Sequence, residues 1–161
     1  MQSTDVRLRA ADSDDRDAVF NLFAEVQSIH AAAEPDFFRQ PVNDDRFDAF
    51  FRGVLDNPQH HLVLACIGGK PIAYVQFFIG TRAESLYQPE RRLARINQLA
   101  VAEGHRRTGC GTKLIEHVKD QARAQGISLL GIDYWSFNAA SRACFRKNGF
   151  HVRQEFMWLR L

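Results

Sequence analysis

Residues 104–113 read GHRRTGCGTK: three glycines, two arginines and a lysine, followed by an apolar pattern at helical spacing. Glycines beside basic residues ahead of a helix suit an anion. The first N–H groups of a helix lack partners and point outward, and the helix dipole favours negative charge there. Without side chains at Gly109 and Gly111 a ligand can approach the backbone closely. Arg106 and Arg107 can supply counter-charge, since a guanidinium binds phosphate through two parallel hydrogen bonds. The chemistry implied is phosphate binding, and the question is whose phosphate. The plainer alternative is a glycine turn that caps a helix beside solvated arginines.

Two nucleotide motifs do not fit. A Walker loop needs lysine directly after its second glycine to reach the β- and γ-phosphates. Gly104 and Gly109 have the required separation, but Cys110 stands in the lysine position and Lys113 comes later. A dinucleotide fingerprint needs a third glycine after a close pair. Here the close pair, Gly109 and Gly111, comes last.

Two longer stretches, LAVAEGHRRTGCGTKLIEHV and IDYWSFNAASRACFRKNGF, together resemble the GNAT superfamily of N-acetyltransferases. The first carries the pattern Arg-x-x-Gly-x-Gly after a strand. The second is similar to the family's asparagine-led helix that ends in Gly-Phe, here Asn138 through Gly149 and Phe150. The resemblance implies acetyl-CoA as co-substrate and no metal. It puts the pyrophosphate on Arg106, Arg107, Thr108, Gly109, Cys110, Gly111 and Thr112. It lays the pantetheine arm along main chain near Leu99 and Val101, with Asn138 reaching the same arm. It also puts a main-chain N–H near Ala100 or Val101 on the thioester oxygen, where charge develops during attack.

The resemblance also shows departures. Many relatives carry a tyrosine on the last helix that protonates the leaving thiolate, and that position is Phe145 here. Asn97 and Gln98 stand where relatives often have a carboxylate, and neither amide can act as a base. Tyr134 and Asn97 remain as catalytic candidates, with Asp133 and His30 as further ones, or water carries the proton. Alignment of reactants and the carbonyl donor survive all of these substitutions. The implied reaction is direct attack of a primary amine on acetyl-CoA in a ternary complex. The alternative is an acyl-CoA-binding sensor or scaffold of the same fold without catalysis. A third reading, an interaction protein without affinity for CoA, needs residues 106–111 to be a cap alone. Cys110 has no visible histidine or carboxylate partner that would make it a nucleophile. His61 and His117 read as surface residues.

In this superfamily the first two helices and their loop line the acceptor site. His30, Glu34, Asp36 and Phe37 fall there, the acids suited to a cationic amine and the phenylalanine to a pocket wall. The acceptor is a small-molecule amine or a peptide; polyamine, amino acid and antibiotic all stay open.

The elements that must position these residues are readable from periodicity. Alternation in residues 5–11 predicts a strand, and Asp12 or Ser13 starts a helix whose stripe runs Val19, Leu22, Phe23, Val26, Ile29. Phe47, Phe50, Phe51, Val54 and Leu55 make a second helical stripe. Two β-rich runs around Gly68 and Gly69 predict a hairpin. Residues 93–101 read as a strand, and a helix carrying Leu114, Ile115, Val118 and Ala122 closes at Gly126. Residues 127–135 read as a strand, 138–149 as a helix and 150–161 as a final strand. The class is mixed α/β. The resemblance refines it to a central, mostly antiparallel sheet flanked by helices, with a splayed strand pair that binds acyl-CoA, in one domain over residues 1–161.

A net charge of +2 over 161 residues, with no run of five like charges, gives no argument for nucleic acid. No 18-residue apolar run suggests a membrane span. The N-terminus lacks the apolar core of a signal peptide. Three scattered cysteines point to a reducing cytoplasm. The final segment FMWLRL offers an edge through which a homodimer can form.

Overall fold

The computed structural model describes residues 5–161. The chain runs β1 (Arg7–Ala10), α1 (Arg16–Ala33), α2 (Asp45–Asp56), β2 (His60–Ile67), β3 (Lys70–Arg82), β4 (Arg91–Val101), α3 (Cys110–Ala124), β5 (Leu130–Ile132) and α4 (Ala139–Lys147). The five strands lie in sequence order in one sheet. The first four are antiparallel neighbours, and β5 joins β4 in parallel. The fold class is therefore the one expected: mixed α/β, with a mostly antiparallel sheet between helices.

Local chemistry explains most of the elements. Asp12 accepts from the Asp14 amide and Asp15 from the Asp12 amide, a reciprocal capping box that opens the turn into α1. Arg9 donates two bonds of 2.6 Å to Asp15 and holds its carboxyl below the usual range. The same fork ties β1 to the start of α1. Gly68 and Gly69 both have positive φ, the backbone that a two-residue hairpin turn requires. Asp44 caps α2 through the Arg46 amide.

The sheet separates two apolar layers. On one face Val63, Ala65, Ala73, Val75, Phe77, Ala94 and Ile96 meet the buried stripe of α3. On the other, Leu62, Leu64, Tyr74 and Ala100 meet α1 and α2 through Val19, Leu22, Phe47, Phe51 and Val54. Side chains alternate along a strand, so each strand feeds both layers. On β4 the alternation inverts partway. Gln76 pairs with Gln98 and Phe77 with Ile96, so Asn97 is an extra residue in a bulge. Before it the even residues Ala94 and Ile96 face α3. After it the odd residues Leu99 and Val101 do, while Ala100 faces α1 and α2. One inserted residue turns Gln98 toward the second layer, where its carbonyl accepts from the Tyr74 hydroxyl at 2.8 Å.

Three expectations need correction. Residues 150–161 form no strand here: no described residue pairs with them in a ladder, and every residue from His151 onward is exposed. The expected strand over 127–135 shrinks to Leu130–Ile132, because β4 diverges after Ile96 and removes its ladder partner. His61 and His117 are half-buried rather than on the surface, each packed against Phe77. Burial, with His60 and His117 nearby, pushes the His61 imidazole below its ordinary value.

Candidate active site

The glycine-rich stretch expected to seat phosphate lies between the end of β4 and the start of α3. A short turn at Glu103–His105 leads into it. Arg107 and Gly109 then both adopt positive φ, 62° and 93°. For glycine this is free, while for arginine it costs about 1–2 kcal/mol, strain of a kind that gathers at functional sites. The helix opens at Cys110 with no side-chain cap and no acid in its first turn. Its first amides have no partner within the helix, and nothing of its own sequence answers the positive end of its dipole.

The neighbours of this turn are specific. A β-carbon on Gly111 would lie 3.7 Å from Cys144 Sγ and 3.8 Å from Val101 Cγ2, so the first turn of α3 rests on β4 and on α4. Asn148, buried at the end of α4, donates to Thr112 Oγ1 at 3.2 Å and to the Cys144 carbonyl at 2.8 Å. Sequence reasoning missed this staple; an asparagine just ahead of a C-terminal glycine reads as an ordinary helix end. Thr108 donates to the His105 carbonyl at 2.6 Å and braces the loop.

The basic side chains divide by what they hold. Arg106 turns back into the protein, its Nε on the Val101 carbonyl at 3.0 Å and its Nη2 3.4 Å from Glu25. Glu25 also accepts from the Glu103 amide at 2.9 Å. Arg106 therefore fixes the loop rather than offering free charge. Lys113 bonds the Val6 carbonyl. Arg107 is the exposed cation of the loop. Cys110 is buried, and burial pushes the Cys144 thiol up, so neither resembles an activated nucleophile.

Beside the loop the sheet opens. The β4–β5 ladder covers only Ala94–Ile96 against Leu130–Ile132. From Asn97 to Val101, β4 runs on with no partner on that side, and the chain after β5 leads away to α4. Leu99, Ala100 and Val101 thus line a wedge that ends at the α3 N-terminus. Asn138 caps α4 by accepting from the Ser141 amide at 3.0 Å, so its carbonyl is engaged and its NH2 is the end left for a ligand. Phe145 is buried, with Tyr134 packed against it at 6.2 Å between ring centroids. Asp133 pairs with Arg95 on the exposed surface.

A second opening lies under α2. Ala49, Phe50, Gly53, Val54, His60, Gln76, Asn97 and Gln98 line a cleft of about 360 Å³. Its floor is a polar pair, the Gln76 amide against His60 Nδ1 at 2.8 Å. Burial pushes the neighbouring Tyr74 phenol up and keeps it neutral. Sequence reasoning missed His60, Gln76 and Tyr74. The available signal was a polar Gln76 two positions from Tyr74, on the face of β3 that packs under α1 and α2.

The expected acceptor residues gather elsewhere. His30 bonds the Val26 carbonyl through Nδ1 at 2.8 Å and meets the rings of Phe38 and Phe137. Phe37 packs between Trp135 and Trp158. Asp36 pairs with Arg160, which answers its charge. Glu34 ends α1 and lies half-buried. These four form an aromatic and acidic rim between α1 and the chain after β5, apart from the residues lining the cleft under α2. Asn97 alone of the expected site residues lines that cleft, and it stands directly after the last β4 residue paired to β5. Wedge and cleft therefore meet at Asn97.

Among the described residues no helix is long and apolar enough to cross a membrane, and no cluster of metal-ligating side chains is present.

The chain is 24% identical to the uncharacterized N-acetyltransferase YhfO of Bacillus subtilis (strain 168) over 152 residues, 94% of each chain. Among solved structures, a mutant of the BH1408 protein from Bacillus halodurans superposes with a TM-score of 0.87 at 22% identity, covering 96% of this chain and 99% of that one. The aminoglycoside acetyltransferase AAC(6')-Iy, solved with a bisubstrate analog of CoA and acetylneamine, gives 0.77 at 14% identity, with 98% and 99% covered. At such identities these structures show the shared fold. The model of the acetyltransferase (GNAT) family matches residues 24–150, from within α1 to the residue after Gly149, and the chain belongs to that family.

Proposed function

We propose that this protein transfers the acetyl group of acetyl-CoA to a primary amine of a small molecule by direct attack. Family membership supports acetyl transfer in general. The observation that carries the finer reading is the uncapped, glycine-led start of α3 at the end of an unpaired stretch of β4. The pyrophosphate sits on the amides of residues 109–112, with Arg107 as the exposed counter-charge. The pantetheine arm follows Leu99 to Val101 and is met by the Asn138 amide. The solved relative that carries CoA, AAC(6')-Iy, shares the fold over nearly the whole chain, which supports CoA as the donor.

The acceptor enters from the cleft under α2 and reaches the thioester at Asn97. The amine attacks the carbonyl carbon; the C–N bond forms, the C–S bond breaks, and the amine loses a proton while the thiolate gains one. A main-chain N–H near Ala100 or Val101 steadies the oxyanion. His60 is the titratable side chain that lines the cleft; its Nδ1 accepts from the Gln76 amide and its Nε2 carries the proton, so it orients the amine or a water and the amine proton leaves to water. Phe145 has no proton to give. The Tyr134 phenol, packed against it, is the candidate donor to the thiolate. Single small amines fit a cleft of this volume better than a folded protein surface does.

The test is a thiol-release assay with acetyl-CoA and a panel of aminoglycosides, polyamines, amino acids and peptides. A small-molecule amine is expected to give CoA thiol and acetylated product in equal amounts. Acetyl-CoA binding with no turnover across the panel would replace transfer by sensing. Turnover of peptides alone would replace the acceptor class.

A further inference from the structure

The cleft under α2 has a polarity of its own, set by two hydrogen bonds beneath it. Gln76 is buried, and its amide nitrogen lies 2.8 Å from His60 Nδ1. An amide nitrogen can only donate, so Nδ1 accepts and the neutral imidazole carries its proton on Nε2. The Tyr74 phenol, kept neutral by burial, donates to Gln98 Oε1 at 2.8 Å. That carbonyl is engaged, and the Gln98 NH2 is the end left for a ligand. His60 and Gln98 therefore both offer N–H donors to the cleft they line.

Among the described residues that line the cleft there is no carboxylate. The acids expected at the acceptor site lie elsewhere: Asp36 is paired with Arg160, and Glu34 ends α1. The wall that α2 supplies is apolar, made by Ala49, Phe50 and Val54. Gly53 belongs to the same wall and lies inside the helix, where glycine is disfavoured. A β-carbon there would meet no atom of the described residues within 4 Å, its chain neighbours and its own helix backbone aside. The absent side chain keeps the cleft open at a cost to the helix.

A polyamine or an aminoglycoside brings several ammonium groups, and this cleft has no negative side chain to answer them. N–H donors beside an apolar wall suit an oxygen anion next to a hydrocarbon group. A carboxylate makes the stronger, charge-assisted bonds with such donors. Resting on the reading that the amine enters through this cleft, we propose that the acceptor is a small monoamine that bears a carboxylate and an apolar side chain, an amino acid rather than a polycation. Its carboxylate accepts from His60 Nε2 and Gln98 Nε2. Its side chain lies against Phe50 and Val54. Its amine is left at Asn97, where the cleft meets the wedge along β4.

The full chain is assayed for thiol release from acetyl-CoA with leucine and phenylalanine, each beside the same skeleton without its carboxylate, isoamylamine and phenethylamine. Spermidine and kanamycin complete the set. The better amino acid is expected to exceed its decarboxylated partner and both polycations about 100-fold in kcat/KM, the discrimination that hydrogen bonds to a charged group supply. A preference below about tenfold, or a faster polycation, would overturn this inference and leave acetyl transfer standing. No turnover of any amine, with acetyl-CoA bound in calorimetric titration, would overturn transfer itself and this inference with it. Two variants assign the preference to the cleft. His60→Phe keeps a ring and removes the donor, and the ratio of amino acid to decarboxylated amine is expected to fall about tenfold. That ratio, taken within one preparation, does not depend on the folded fraction. Gly53→Phe fills the open space, so KM for the amino acid is expected to rise about tenfold with the affinity for acetyl-CoA unchanged. An unchanged ratio in the first variant, or an unchanged KM in the second, would put the preference outside the cleft and overturn the inference.

Discussion

Gly109→Val is expected to weaken acetyl-CoA binding roughly 100-fold, about 2.8 kcal/mol, as read by calorimetric titration. Two effects combine. Gly109 has a φ of 93°, which a β-branched residue rarely adopts. Valine will therefore rotate the peptide groups that aim the first amides of α3. Its side chain also occupies the approach to those amides, where, its chain neighbours aside, no atom of the described residues lies within 4 Å of the point a β-carbon would take. The open space is the reason to expect a loss of binding with only a small loss of stability, about 1–2 kcal/mol from the backbone strain. Unchanged affinity in this variant would remove the loop from the binding site.

Leu114→Ala is expected to act in the opposite sense. Leu114 is completely buried in the first turns of α3, in the layer formed with Val75, Phe77 and Ile96. Truncating a leucine at such a position destabilises by about 2–5 kcal/mol, through lost transfer energy and the cavity left behind. Urea unfolding should show that loss. Affinity for acetyl-CoA, measured well below the unfolding midpoint, should stay within about threefold, since small changes of that order are what intact backbone donors allow. The two variants together separate a glycine used for ligand approach from a residue used for packing. If Leu114→Ala weakens binding as much as Gly109→Val does, the loop geometry depends on core packing more than the bracing bonds of Arg106, Thr108 and Asn148 suggest.

Much of the fold is legible because its signals are local. The stripe of α3, the capping residues at Asp12 and the glycine turn at Gly68 and Gly69 each lie within a few residues of one another. The loop proposed to seat phosphate is legible for the same reason, since Gly109 and Gly111 lie close together ahead of a helix and Gly109 has a positive φ. What escapes depends on register. The bulge at Asn97 inverts the facing of β4, and no local pattern in RINQLAV marks it. Without it Gln98 would face α3, and the cleft under α2 would lose one of its linings. His60 and Gln76 are sixteen residues apart and meet across the β2–β3 hairpin. A pairing frame is needed to see them as one group. Arg106 reads as a free cation in the sequence because its partner, Glu25, lies on a distant helix. The expected last strand fails for a different reason. Residues 150–161 have the alternation of a strand, but a strand needs a ladder, and a single chain provides none at that edge.

The departures from the family also take on a physical sense. Phe145 packs into the core layer of α3 and touches Tyr134 and Phe150, so it serves as a packing residue. Asn97 keeps a polar group at the junction of wedge and cleft without adding charge. A neutral junction suits an amine that must arrive uncharged to attack. In the proposed reaction proton removal is left to water in the cleft, since the His60 Nδ1 is engaged by the Gln76 amide.

The most direct measurement is calorimetric titration of the full chain with acetyl-CoA and, separately, with ATP. The central claim is that the uncapped start of α3 receives the pyrophosphate of acetyl-CoA, held by the wedge along β4. Micromolar binding of acetyl-CoA with no binding of ATP is the expected result, because ATP has phosphates for the loop and nothing for the wedge. Equal binding of both ligands, or of neither, would contradict the claim.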